Sequence, residues 1–160
     1  MESKSPTSFF AHSRLTLILT LVIVFGLGLG IRLFDLTDLP LDFHPGRQLM
    51  AALKARGMFY QTAPNIRDWQ KTMAIQQWKT RAEVEPDVLQ QLVAFTYRFT
   101  GVELWVARVY SSLFWVVGGI FLFLLVRELL STDGAVIATA YYLFFPYAVT
   151  ASRSFQPDPL

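Results

Sequence analysis

No cysteine occurs among the 160 residues, which excludes disulfides and thiolate metal sites. Charge is scarce as well. Asp, Glu, Lys and Arg make up 16% of the chain, against about 25% in soluble domains. The net charge of +2, with no basic tract longer than two residues, removes nucleic acid as a partner. There is no glycine-rich phosphate loop and no convincing internal repeat. What the chain has in excess is apolar surface: 53% hydrophobic residues, 15% aromatic, and a mean hydropathy of +0.38. A soluble domain of this size has no use for that much, so the composition predicts a membrane protein.

Three uncharged runs are long enough to span: Leu15–Ile31, Val109–Val126 and Gly134–Ser152. At about 17–19 residues each, they sit at the short end of the ~17–25 that cross a hydrocarbon core as helix. The first exceeds the ~7–15 residues of a signal-peptide core, and no small-x-small cleavage site precedes Arg32, so it is expected to be retained. Flanking residues extend the runs, giving an all-α membrane protein with spans over 15–34, 105–127 and 134–152. Residues 1–14 are then a cytoplasmic leader, where Lys4 and Arg14 face only Glu2. Residues 35–104 form an extracytoplasmic loop, 128–133 a cytoplasmic turn, and 153–160 the start of a second outer loop. Long loops translocate largely regardless of charge, so the lysines and arginines of 35–104 do not oppose this. Asp42 and Asp158 fall on the same side by parity.

The long loop is predicted to be structured. In "RQLMAALKARG", Leu49, Met50, Leu53 and Gly57 form one helical stripe flanked by Arg47, Lys54 and Arg56, the pattern of an interfacial helix with snorkelling cations. A second helix is signalled by Pro86 at its start, Asp87 at its positive end and Gly101 at its stop. Its apolar stripe is Val88, Leu92, Phe95 and Phe99. Between the two, 60–83 is polar and reads as a loop near the headgroups, with Trp69 and Trp78.

Carboxylates beside prolines mark the candidate site. Asp35, Asp38 and Asp133 read as solvated helix ends. Asp42, bracketed by Pro40 and Pro45 in "DLPLDFHPGRQ", and Asp158, between Pro157 and Pro159 in "SRSFQPDPL", sit in backbone that cannot be helical. Each has an arginine five residues away, Arg47 and Arg153. Acid plus arginine, twice, suits a hydroxyl acceptor and an anionic lipid phosphate. Two interfacial salt bridges, worth little energetically, are the plain alternative.

The layout as a whole resembles the amino-terminal part of a GT-C membrane glycosyltransferase, most closely the protein-mannosyltransferase and aminoarabinose-transferase type of glycosyltransferase family 39. The resemblance lies in a first span, then "IRLFDLTDLPLDFHPGRQLMAALKARGMFYQ", a proline-started "EVEPDVLQQLVAFTYRFTGVELWVARVYSSL", a short turn, and "GAVIATAYYLFFPYAVTASRSFQPDPL". It implies catalytic acids at Asp42 and Asp158, in the first and second outer loops. Where the family often has adjacent Asp-Glu, this chain has "DFHPGRQ", which brings in His44 as a stand-in.

The resemblance further implies transfer of a sugar from a polyprenyl-phosphate donor to an acceptor hydroxyl at the extracytoplasmic face, with inversion. Arg47 and Arg153 would hold the donor phosphate. It implies more spans after Leu160, so the chain is expected to be a fragment. No metal ligands are assigned; a divalent metal and the acceptor stay open, and membrane lipid is an expected partner. The localisation that follows is a bacterial inner or plasma membrane. The alternative is a non-catalytic membrane protein that binds a partner or a lipid phosphate. A transporter is disfavoured, because transporters place acids inside spans and these three contain none.

Overall fold

The computed structural model describes residues 9–10, 13–80 and 86–156. Among these, seven helices and no strand are formed: α1 (Arg14–Leu33), α2 (Pro45–Thr62), α3 (Asp68–Lys79), α4 (Val88–Thr100), α5 (Trp105–Leu129), α6 (Thr132–Phe144) and α7 (Pro146–Ser152). α1 and α5 are each long and apolar enough to cross a membrane, and α6 with α7 makes a third, bent candidate. The chain is an all-α membrane protein. Leu15, Ile18, Val22 and Leu27 of α1 stand exposed, as they should on a helix whose solvent is hydrocarbon.

Helix ends follow local chemistry. The Ser13 hydroxyl caps α1 by accepting from the Thr16 N–H, and Ser131 does the same for Gly134 at α6. Pro45 and Pro146 open α2 and α7 at the position where a missing N–H costs nothing. Gly101, at φ 79°, ends α4. His44 precedes α2 with φ 46°, a left-handed conformation that a non-glycine residue adopts only under constraint.

Two hydrophobic clusters mark the two ends of the bundle. One joins Ala51 and Ala55 of α2, Leu89, Val93 and Tyr97 of α4, Val106 and Ala107 of α5, and Phe155. The other joins Phe123, Ala135 and Val136, with Phe10, Leu17 and Leu21 packed on it. At that second end the Asp133 carboxylate accepts the N–H groups of Phe9 and Phe10 at 2.7 and 3.0 Å. It is therefore a tie for the leader rather than a solvated helix end.

α6 and α7 meet at 62°, with Pro146 at the break, so residues 134–152 are not one straight helix. α6 starts beside the leader, whereas Ser152 at the end of α7 is bonded to Arg32 at the far end of α1. The pair thus passes from one end of the bundle to the other. By length and composition the pair passes as one bent span.

Two expectations for residues 45–100 are corrected. The 60–83 loop contains α3, with Asp68 in its first turn and Lys79 in its last, both favourable to the helix dipole. α3 packs so tightly on α2 that a Cβ at Gly57 would lie 2.8 Å from Trp78 Cβ and 3.1 Å from the Ala74 carbonyl. Lys54 does not snorkel. It is 7% exposed and pairs with Asp87 at 2.9 Å. The stripe Val88, Phe95, Phe99 of α4 faces outward, and the buried face is the neighbouring set Leu89, Val93 and Tyr97. Asp87 does stand at the N-cap of α4, but its carboxylate serves Lys54 and makes no capping bond.

Candidate functional site

The site is built where the loop after α1 meets the segment after α7. Asp42 is exposed, and its Oδ1 accepts from the next residue's N–H at 3.0 Å and from Gln48 Nε2 at 3.5 Å. His44, also exposed, supplies the left-handed turn into α2, and its ring stands edge-on to Phe43 at 4.7 Å between centroids. Phe43 in turn stands edge-on to Tyr147 of α7 at 5.4 Å. Arg47 projects from the exposed side of the first turn of α2.

Buried amides join the two segments. Gln48, 1% exposed, donates through Nε2 to the Phe43 carbonyl and accepts through Oε1 from the Phe155 N–H at 3.1 Å. Gln156 donates to the same Phe43 carbonyl at 3.2 Å. From α5, the Ser111 hydroxyl donates to the Ser154 carbonyl at 2.7 Å, and the Phe155 ring is sunk in the cluster of α2, α4 and α5. Residues 154–156 are thereby fastened to 43–48 by buried and half-buried bonds, of which those of Phe155 to Gln48 and of Ser111 to Ser154 are shut off from solvent and resist replacement by it.

Arginines stitch the same end. Arg153 donates through Nη2 to the carbonyls of Phe34 at 2.6 Å and Asp35 at 3.0 Å. Arg108, 2% exposed, donates to the carbonyls of Asp35, Leu36 and Leu39 at 3.2–3.4 Å. The chain turns sharply at Asp35, whose φ is 52°, and a loop leaving a helix this way presents carbonyls with no helical partner. The two guanidinium forks take them up.

The sequence-derived site residues therefore differ in fate. Asp42, His44 and Arg47 lie together at the start of α2. Arg153 is at the same end of the bundle, but its guanidinium is engaged with backbone carbonyls. Asp158 lies outside the described residues; Gln156, two positions before it, touches Phe43. Gln48, Gln156, Ser111 and Arg108 were missed by sequence reasoning. For Gln48, Ser111 and Arg108 the available signal was a polar residue within a helix; Gln156, beyond the end of α7, had none. Among the described residues no group of three or more histidines or carboxylates is gathered in one place. Two clefts, of about 570 and 430 Å³, share Phe59, Thr62 and Arg98 as walls. They lie near the other end of α2, roughly 20 Å from Asp42 by helix rise.

Residues 84–160 match the family model for dolichyl-phosphate-mannose-protein mannosyltransferases, a GT-C type of membrane glycosyltransferase. The stretch covers α4 to α7 and the acid-bearing segment after α7, so the resemblance read from the sequence holds there. No curated protein and no solved structure matches the chain.

Proposed function

We infer that this chain forms the amino-terminal part of a membrane glycosyltransferase of the GT-C type. In this reading it moves a sugar from a polyprenyl-phosphate donor to an acceptor hydroxyl at the extracytoplasmic face of a bacterial inner membrane. The observation that carries the reading is the amide clasp of Gln48 and Gln156. It fastens the segment leading to Asp158 onto the residues beside Asp42. The family match supplies the class of chemistry.

The reaction asks little of an acid, because a phosphate monoanion attached to the sugar is already a competent leaving group. The acceptor oxygen attacks the anomeric carbon from the face opposite the phosphate. As the C–O bond to the acceptor forms, the bond from the anomeric carbon to the phosphate oxygen breaks, inverting the centre. The acceptor proton passes to a carboxylate, and the electron pair leaves with the polyprenyl phosphate. Asp42 is assigned as that base, with one carboxylate oxygen held by backbone and amide N–H groups and the whole group open to the surface. Asp158 is the second acid, orienting the acceptor or sharing its proton. Arg47, exposed on the first turn of α2, is assigned to the phosphate, and the positive end of that helix would add to its field. Arg153 is set aside as the lesser phosphate ligand because its fork already serves Phe34 and Asp35.

The test is sugar transfer in membranes carrying the native protein with Asp42→Asn or Asp158→Asn. Asparagine keeps the shape but accepts no proton, so each is expected to lower transfer by ~10²–10⁴-fold at normal expression. Asp35→Asn, whose side chain is exposed, is the control and is expected to be nearly silent. Near-normal turnover in Asp42→Asn would remove the assignment and make His44→Ala the next substitution. Unchanged turnover in all three would remove both acids from the reaction, whereas no transfer above that of membranes lacking the protein would favour a non-catalytic, lipid-phosphate-binding protein.

A further inference from the structure

Arg32 lies at the end of α1, is 0% exposed, and has only neutral oxygens as partners among the described residues. A buried guanidinium without a carboxylate is costly in an apolar surrounding, so its place there calls for an explanation. Its Nε donates to the Ser152 hydroxyl at 2.7 Å. Its Nη1 donates to the carbonyls of Gly28 at 2.7 Å and Leu143 at 2.8 Å.

Two of these three partners belong to the broken span. In an unbroken helix the Tyr142 carbonyl would accept from residue 146, and the Leu143 carbonyl from Tyr147. Residue 146 is proline and has no N–H, and the 62° bend lies between Leu143 and Tyr147. Hydrocarbon offers no water to such carbonyls, so a broken span persists only where other groups satisfy them. Here the Trp115 indole N–H, at 3.4 Å, takes the Tyr142 carbonyl, and Arg32 takes that of Leu143. Trp115 is also stacked on Tyr142, with centroids 4.8 Å apart and planes 7° from parallel.

The fork of Arg32 therefore holds both sides of the break, at the Leu143 carbonyl in the last turn of α6 and at the side chain of Ser152, the last residue of α7. We infer that Arg32 is a positioning residue that sets the direction in which the chain leaves the third span, and so delivers residues 154–156 to Phe43 and Gln48. The leverage is large. α7 has seven residues, about 10 Å of helix, so straightening a 62° bend would carry its far end on the order of 10 Å from the clasp. Arg108, the other buried arginine among the described residues, directs its hydrogen bonds to the loop after α1 instead.

The inference rests on the glycosyltransferase reading only for what is being positioned, and its test does not use transfer. The chain has no native cysteine, so cysteines at Phe43 and Gln156 can be joined in membranes by a short bismaleimide. Thermal stability in detergent is measured in parallel. Arg32→Met is expected to lower the cross-linking rate at least ten-fold and to lower stability, because the Leu143 carbonyl is orphaned. Pro146→Ala alone is expected to keep the cross-link, since Arg32 still ties the last turn of α6 to the end of α7. The double variant can close a continuous helix that satisfies the carbonyls internally. It is expected to regain stability while the cross-link stays lost.

That separation of stability from position is what a merely structural arginine would not produce. Should Arg32→Met alone fail to fold, the double variant still reads the geometry. Parental cross-linking in Arg32→Met or in the double variant would overturn the inference. So would a loss in Pro146→Ala as complete as in Arg32→Met, which would make the proline the director. Lost cross-linking with sugar transfer intact would leave the role of Arg32 standing and count against the assignment of Asp158.

Discussion

The N–H of Phe155 donates to the side-chain oxygen of Gln48 at 3.1 Å, across a sequence separation of 107 residues. The same amide group turns its nitrogen to the Phe43 carbonyl, next to Asp42. One buried side chain thus couples the loop after the first span to the segment after the third. Neither partner can exchange its bond for one with water, so the coupling is specific as well as stabilising.

Gln48→Leu should therefore destabilise by ~1–3 kcal/mol, the usual range for leaving a buried donor unmade. Gln48→Glu keeps an acceptor for Phe155 but sets a second carboxylate about 3.5 Å from that of Asp42. Its loss should be larger at neutral pH and partly relieved on acidification, as repulsion between like charges is removed. Thermal melts in detergent at two pH values check both. A Gln48→Glu variant equally stable across that range would show that the two groups do not face each other.

Lys54 and Asp87 make a largely buried pair, with side-chain exposures of 9% and 14%. Lys54→Met leaves the Asp87 carboxylate without its cation and should cost about 2–3 kcal/mol. That is below the ~3–5 kcal/mol for breaking a fully buried pair, because Asp87 keeps some contact with water. The double substitution Lys54→Met with Asp87→Asn should cost less than Lys54→Met alone. A double-mutant cycle returning no coupling would place Lys54 in the headgroups after all.

Gly57 is where α2 and α3 touch. Alanine there would meet Trp78 Cβ at 2.8 Å and the Ala74 carbonyl at 3.1 Å, neither of which is the end of a flexible side chain. About 1–3 kcal/mol is expected from overpacking, with proteolysis appearing first around α3. Gly46→Ala, with nothing within 4 Å of the new methyl group, is the matched control and should be tolerated.

Burial pushes the Tyr97 phenol up to about 12, from an ordinary value of 10, with Glu103 adding in the same direction and Arg56 opposing. The neutral form is favoured in the fold, so its stabilisation is complete below about pH 10. It is lost as pH rises toward 12, when the unfolded chain ionises first and gains relative to the native state. Ultraviolet titration should show a late phenolate transition that disappears in Tyr97→Phe. The same substitution should flatten the alkaline end of the stability profile, because the buried hydroxyl has no partner among the described residues to lose.

Much of the helical skeleton was legible in the sequence, for reasons that operate locally. α1 and α5 announce themselves by uncharged runs that only a bilayer explains. Pro86 falls two residues before the first residue of α4, close to where the sequence put the helix start, and Gly101 marks where α4 must end. The candidate acids stood out because prolines forbid helix around them. None of this requires knowing what packs against what.

What lay beyond the sequence was the choice of neighbours. An apolar stripe identifies a buried face only when the other side is water. Beside a membrane both faces of a helix can be greasy, so the outward stripe Val88, Phe95 and Phe99 of α4 did not disclose that Leu89, Val93 and Tyr97 make the core. Lys54 looked like a snorkelling cation because Asp87, 33 positions away, was not visibly its neighbour. Arginine posed the same problem in sharper form: its fork fits a phosphate and a pair of carbonyls equally well. Sequence alone read Arg153 as a phosphate ligand and Arg32 as a boundary marker. Only the tertiary structure, by breaking the third span at Pro146 and turning the chain at Asp35, created the unpaired carbonyls that these arginines satisfy.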